Sequence, residues 1–169
     1  MEQNQNDAEW SIEARAFSIR RTPFSHNFWT LSDPAGTIAG QLHGLAVDPS
    51  TGQAMAFGNS RHLLQVIDDP SIGWSLRPGQ PVAVCARGSK TEIITRWQSA
   101  LTAIPALNAL NLRYPDLWQH IYKGNSNSVF NTLGQIMGFS APSRLLPTLA
   151  PGIHLVLAPE LVKKFAYKS

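Results

Sequence analysis

The periodicity of this chain changes once, at Ser89, and that change restricts its fold more than any other feature. Before it, short β-type runs alternate with turn signals. Residues 10–19 alternate loosely, residues 26–31 are rich in aromatics, and residues 37–47 follow the turn Ser32-Asp33-Pro34-Ala35-Gly36. Asp, Pro and Gly at those positions join the second and third runs as a hairpin. A second turn, Asp48-Pro49-Ser50-Thr51-Gly52, leads into residues 53–57, and residues 62–67 and 82–86 read as further strands.

Beyond Ser89 the spacing becomes helical. Ser89-Lys90-Thr91-Glu92 has the form of a capping box, in which Ser and Glu satisfy each other's orphan N–H groups. Ile93, Trp97, Leu101 and Ile104 then recur on one face until Pro105, which is expected to stop the helix, with residues 106–113 as a short continuation. A later helix carries Val129, Leu133, Ile136 and Met137 on one side and closes at Gly138. Residues 153–157 read as a last strand. Strands first and helices after predict an α+β fold, an antiparallel sheet followed by helices.

Size and composition set the outer limits. The 169 residues fit one domain, spanning 10–169, behind a polar tail of residues 1–9 expected to be disordered. The net charge of +3 arises from 14 basic and 11 acidic residues, with Lys163, Lys164 and Lys168 near the end, too weak and too local an excess for nucleic-acid binding. A single cysteine, Cys85, excludes an internal disulfide and a cysteine-based zinc cluster. Its apolar neighbours suggest a buried strand and an inert thiol. No run of 18 apolar residues occurs, so no transmembrane segment is expected. The polar, acidic start, Met1-Glu2-Gln3-Asn4-Gln5-Asn6-Asp7, is unlike a secretory signal; the expectation is a polypeptide made in the cytoplasm, with signal-independent export left open.

The chemistry concentrates at Gly124-Asn125-Ser126-Asn127-Ser128-Val129-Phe130, a turn that ends in the first turn of a helix. A hydroxyl there lies among unpaired N–H groups at the positive end of the helix dipole, where an oxyanion could be held. The same position suits an ordinary Ser cap, and Asn side chains stabilise turns by bonding their own backbone. No His or carboxylate cluster has metal-site spacing, and the segment lacks the GxxxxGK pattern of a phosphate loop, so no cofactor or metal is expected. What remains is a nucleophile–base pair, with Ser126 or Ser128 on the helix and a histidine from the sheet. His62, His154 and His120 read as structural or packing residues. Trp29, Trp97, Trp118 and Phe130 read as core. Trp74, flanked by turn residues, is a candidate rim residue for an apolar or glycan ligand.

The pattern Gly-Asn-Ser-Asn-Ser-Val resembles the nucleophile motif of the PPPDE (desumoylating isopeptidase-like) peptidases, where Asn-Cys-Asn-(Thr/His)-Phe opens a helix late in the domain. In that family the catalytic histidine lies earlier, on a strand beginning His-Thr, and a Tyr-Phe-Phe-Gly-like strand comes next. Here Ser25-His26-Asn27-Phe28-Trp29-Thr30-Leu31 and Gly40-Gln41-Leu42-His43-Gly44 stand in the same order. The broader group is the circularly permuted papain-like (NlpC-like) fold, which includes lecithin:retinol acyltransferase-like enzymes. The resemblance covers the two ends of residues 25–138 and implies a permuted papain-like domain with Ser126 as nucleophile and His26 as base. Gln41 or His43, on one face of a strand by alternation, would orient the imidazole. The N–H groups of Ser126 and Asn127, with the Asn125 or Asn127 amide, would form the oxyanion site; Ser128 stands with Asn125 and Asn127 as an oxyanion or substrate-binding candidate, and equally suits a cap of the first turn.

Serine stands where the family has cysteine. A hydroxyl is a poorer nucleophile than a thiolate and needs an effective base. The resemblance therefore implies either a Ser–His hydrolase or acyltransferase acting on an amide or ester, or an inactive relative that binds a protein or peptide in the old cleft. Its substrates would be peptide, peptidoglycan or lipid in type. Lone domains of this fold can be bacterial effectors or toxins, which would add an inhibitor or immunity protein as partner.

Overall fold

The computed structural model describes residues 9–168, so the expected tail lies outside the described residues except for Glu9. Six strands form one antiparallel sheet: β1 (Trp10–Ser18), β2 (Ser25–Ser32), β3 (Ile38–Val47), β4 (Ala54–Met55), β5 (Leu63–Asp68) and β6 (Val82–Gly88). Three α-helices follow, α1 (Lys90–Asn108), α2 (Ser126–Ile136) and α3 (Pro159–Phe165). The fold is thus α+β, in the order the change of periodicity predicts. Among the described residues no helix is long and apolar enough to cross a membrane.

The sheet runs β4-β3-β2-β1-β6, and β5 pairs with β3. One irregularity positions everything that follows. Strands β2 and β3 pair only at Trp29↔Leu42, Thr30↔Gln41, Leu31↔Gly40 and Ser32↔Ile38. Beyond Trp29, β2 continues against β1 as far as Ser25, while β3 continues against β5 as far as Val47. The two strands part, and β4 takes the vacated edge of β3 at Ala46 and Val47.

The first residues of α2 fill that opening. Asn127 Oδ1 accepts from the Asn27 N–H at 3.0 Å, and Asn127 Nδ2 donates to Ser25 O at 3.1 Å. One side-chain amide thereby supplies β2 with the donor and acceptor that β3 no longer offers, and the buried backbone groups stay satisfied. Opposite it, Gly44 lets the helix approach β3: a Cβ there would lie 2.6 Å from Val129 Cβ and 3.0 Å from Ser126 Cα. Asn108 serves β5 in the same way, its amide bonding both the N–H and the carbonyl of Val66 at 2.7 and 3.1 Å.

Helix packing then seals one face of the sheet. Trp29 stacks on Phe130 with centroids 4.4 Å apart and donates its indole N–H to Phe130 O at 2.9 Å. Ile93, Trp97, Ala100, Ala103 and Leu107 form the buried side of α1. Leu101 and Ile104, expected on that side, are half-buried.

Four expectations are corrected. Pro105 does not stop α1, which runs to Asn108 because Leu107 is buried and Asn108 is tied to β5; those contacts outweigh the bond that proline removes. Residues 153–157 are not a strand: their backbone is held by side chains of α2, Asn131 to Leu155 O at 3.1 Å and Thr132 from Leu157 N–H at 2.9 Å. Strand β6 is a half-exposed edge strand and not a buried one, although Cys85 on it is half-buried, with its thiol pushed up to about 11 by burial. Trp118 is not core; it is 85% exposed.

The close approach at Gly44 gives a test. Gly44→Ala should destabilise the protein by about 1–3 kcal/mol in urea unfolding, because α2 must back away from the opening. Gly73→Ala, where a Cβ meets nothing within 4 Å, should be close to neutral. Equal unfolding midpoints for the two would contradict this packing.

Candidate active site

A cavity of about 1500 Å³ opens where β2 and β3 part, and its lining includes His26 from β2, Gly44 from β3, and Ser126 and Asn127 from the start of α2. Two residues a hundred positions apart are thus brought to one concavity. They are not hydrogen-bonded to each other. The partner of Ser126 Oγ is the Tyr114 hydroxyl, at 3.5 Å.

His26 heads a chain of hydrogen bonds that runs away from the cavity. Its Nε2 lies 3.1 Å from His43 Nδ1, and His43 Nε2 lies 3.2 Å from Gln41 Oε1. Gln41 Nε2 donates to two carbonyls, Pro70 O at 3.0 Å and Ile72 O at 2.8 Å, which fixes which end of the amide is nitrogen. Its Oε1 also accepts from the Ser75 hydroxyl at 2.7 Å.

These contacts determine the protons. Since Gln41 Oε1 can only accept, His43 must carry its proton on Nε2 and accept at Nδ1. His26 must then donate from Nε2, which leaves its Nδ1 as an unprotonated lone pair. That nitrogen makes no hydrogen bond among the described residues, and the His26 ring lines the cavity. Two backbone carbonyls, through one amide and one imidazole, therefore set the tautomer of a third group.

The stack around the pair is aromatic. Phe28 lies 4.5 Å from His43, Phe17 lies 5.0 Å from His26, and Trp74 covers both rings at 5.7 and 6.5 Å. Burial among these rings lowers His26 to about 4. Burial, and then the neighbouring His26, lower His43 to about 2. Both are neutral at pH 7, as the tautomer chain requires.

The helix start works differently from expectation. Asn125, not Ser126, is the N-cap of α2: its Oδ1 accepts from the N–H groups of Asn127 and Ser128 at 2.9 and 3.2 Å. Its Nδ2 donates to His120 O and Pro151 O, both at 2.9 Å. Ser128 closes the box by accepting from Asn125 N–H at 2.6 Å and donating to Asn125 O at 2.7 Å. Asn127 is consumed by β2 and Pro151. The polar groups of Asn125, Asn127 and Ser128, expected at an oxyanion or substrate site, are paired inside the protein, as is the Asn127 N–H. The Ser126 hydroxyl and N–H remain, both facing the Tyr114 phenol. Burial raises that phenol above its ordinary value, so it keeps its proton and can donate.

Sequence reasoning reached His26, His43, Gln41 and Ser126, and the structure gathers the first three into one chain. It missed Ser75 and Tyr114. Neither sits in a motif; Ser75 lies in a turn next to Trp74, and Tyr114 precedes a proline, so no local signal marks them. Trp74 lines the cavity, as a rim residue should, and is 49% exposed. His120 also lines it, while His62 is buried and His154 exposed away from it. No group of three or more His, Cys, Asp or Glu side chains suited to a metal occurs among the described residues. Comparison with protein-family models, with curated proteins and with solved structures returns no match.

Two buried neutral histidines make stability depend on pH. Their folded values lie below the unfolded value of about 6.5, so as pH falls from 6.5 towards 4 the unfolded chain binds protons that the folded one refuses. Between pH 7 and pH 5 the unfolding free energy should drop by about 4 kcal/mol, with full stability above pH 6.5. In His43→Gln that drop should be roughly halved. A wild type as stable at pH 5 as at pH 7 would contradict the neutral pair.

Proposed function

We propose that this protein is a hydrolase or acyltransferase on a circularly permuted papain-like scaffold. Ser126 attacks the carbonyl of an amide or ester, and His26 Nδ1 takes the hydroxyl proton. The observation that carries this reading is the chain from Pro70 and Ile72 through Gln41 and His43, which leaves His26, in the lining of the cavity that Ser126 shares, with an unprotonated Nδ1. Such a group is what a nucleophile–base pair needs, and the base is held by a third residue in turn. Gln41 and His43 are positioning residues in this scheme.

The steps follow from the side chains present. Oγ bonds to the acyl carbon, its proton passes to His26 Nδ1, and the developing oxyanion is met by the Ser126 N–H and the Tyr114 hydroxyl. The proton then leaves His26 for the departing amine or alcohol, and water or a second acceptor releases the acyl group. Ser126 Oγ and His26 must first come into hydrogen-bond contact. In this reading, substrate binding displaces Oγ from Tyr114 towards Nδ1, since catalytic bonds often tighten only in the substrate complex.

One observation favours a second reading. A base held near pH 4 draws a proton from serine only weakly, and Ser126 already has Tyr114 as partner. That combination suits an inactive relative whose cleft binds a protein or peptide. An effector or toxin role, and an inhibitor or immunity protein as partner, rest on the family resemblance alone.

A fluorophosphonate probe separates the two readings. The hydrolase reading predicts labelling of the parent that disappears in Ser126→Ala and falls at least tenfold in His26→Gln. Equal labelling of parent and Ser126→Ala would sink it. In Ser126→Cys, the thiol should alkylate faster with His26 present than in the double variant Ser126→Cys/His26→Gln; no difference means that Nδ1 does not serve residue 126.

A further inference from the structure

Beside the cavity stands a short segment that core packing does not account for. After Tyr114-Pro115 the chain makes a 3-10 turn, Leu117–Gln119, and a further turn up to Lys123. Its large apolar side chains face solvent: Leu117 is 69%, Trp118 85%, Ile121 75% and Tyr122 64% exposed. Phe57, in the loop whose Gly58 abuts Tyr114, is 70% exposed as well. Leu117, Trp118, Ile121 and Phe57 all line the cavity mouth, so the exposed surface is one rim and not scattered single residues.

Arg20 and Arg77 are the charged residues lining the cavity, and no carboxylate is among them. Lys123 ends the exposed turn. Asp116 begins it, an ionised carboxylate that accepts from the Ser60 N–H at 2.9 Å and offsets Lys123, so the basic excess at the cavity rests on Arg20 and Arg77. Trp and Tyr beside Leu and Ile, with basic residues around them, is the composition that settles at a bilayer surface. Arginine and lysine are attracted to anionic headgroups.

We infer that residues 117–122 and Phe57 form a docking rim for the surface of an anionic phospholipid bilayer, with the cavity mouth turned towards the lipid. The apolar side chains enter the headgroup layer, and Arg20 and Arg77 meet lipid phosphates. This holds whether or not Ser126 is a nucleophile, and binding can be read without any turnover.

The test is co-sedimentation of the full chain with vesicles of phosphatidylcholine alone and of phosphatidylcholine mixed equally with phosphatidylglycerol. Binding to the mixed vesicles is expected, weakening with added salt. In Trp118→Ala/Ile121→Ser it should fall at least about tenfold, because two inserted apolar side chains are lost. Arg20→Gln/Arg77→Gln should reduce the salt dependence. These side chains are exposed, so urea unfolding should confirm that the variants fold as the parent does. No sedimentation with either vesicle would leave the rim to a protein partner and overturn the inference. Equal binding of the parent and Trp118→Ala/Ile121→Ser, or equal affinity for both vesicle types, would do the same.

Discussion

A sheet that splits must still satisfy the backbone it exposes, and here one asparagine does so. Asn127 bonds β2 at Asn27 and Ser25 where β3 has moved away. Without that amide, two buried peptide groups would be left unpaired, at a cost of about 1–3 kcal/mol each. With it, β2 and β3 can diverge, β4 can take the vacated edge, and the first turn of α2 can sit between them. The cavity, with Ser126 and His26 both in its lining, exists because of this substitution of a side chain for a strand. Gly44 completes the fit by removing the Cβ that would collide with α2.

The second constraint is directional. A neutral imidazole has two tautomers, and in water neither nitrogen is reserved for catalysis. Here the amide of Gln41, anchored on Pro70 O and Ile72 O, removes the choice for His43, and His43 removes it for His26. The chain is buried under Phe28, Trp74 and the 69–81 loop, so it is shielded from water that would relax it. Ser75 reinforces the acceptor role of Gln41. The same burial that preserves the tautomer also lowers the basicity of His26. Positional control and proton affinity therefore pull in opposite directions at this site, and the hydrolase and binding readings differ in which of them prevails.

The strands of the first half were legible because each run is bounded by Asp, Pro or Gly at turn positions, and β1, β2, β3, β5 and β6 fall close to where alternation puts them. Helix α1 was legible from Ser89 and Glu92 but not in its length, since a proline reads as a stop unless one knows that Asn108 is tied to Val66. The N-terminus of α2 was placed within a residue, yet its cap was misassigned. Asn125 and Ser126 are equally good caps in sequence, and only the turn from Gly124 shows which side chain points back. The region after Gly138 was least legible: residues 153–157 look like a strand but are held by Asn131 and Thr132, a long-range pairing with no local signature. At the site, His26, His43 and Gln41 were reachable by alternation and order. Ser75 and Tyr114 were not, because their roles come from where loops return in space.

The most direct test of this picture is the protonation state of one ring. Long-range nitrogen–proton NMR correlation on imidazole-labelled protein distinguishes a nitrogen that bears hydrogen from one that does not. At pH 7, and still at pH 5, His26 should appear as a single neutral tautomer with its proton on Nε2, and His43 likewise, both unchanged by mutation of Ser126. A His26 ring protonated on Nδ1, charged at pH 6, or averaging between tautomers would mean that the relay from Gln41 does not hold, and with it the base at the cavity wall.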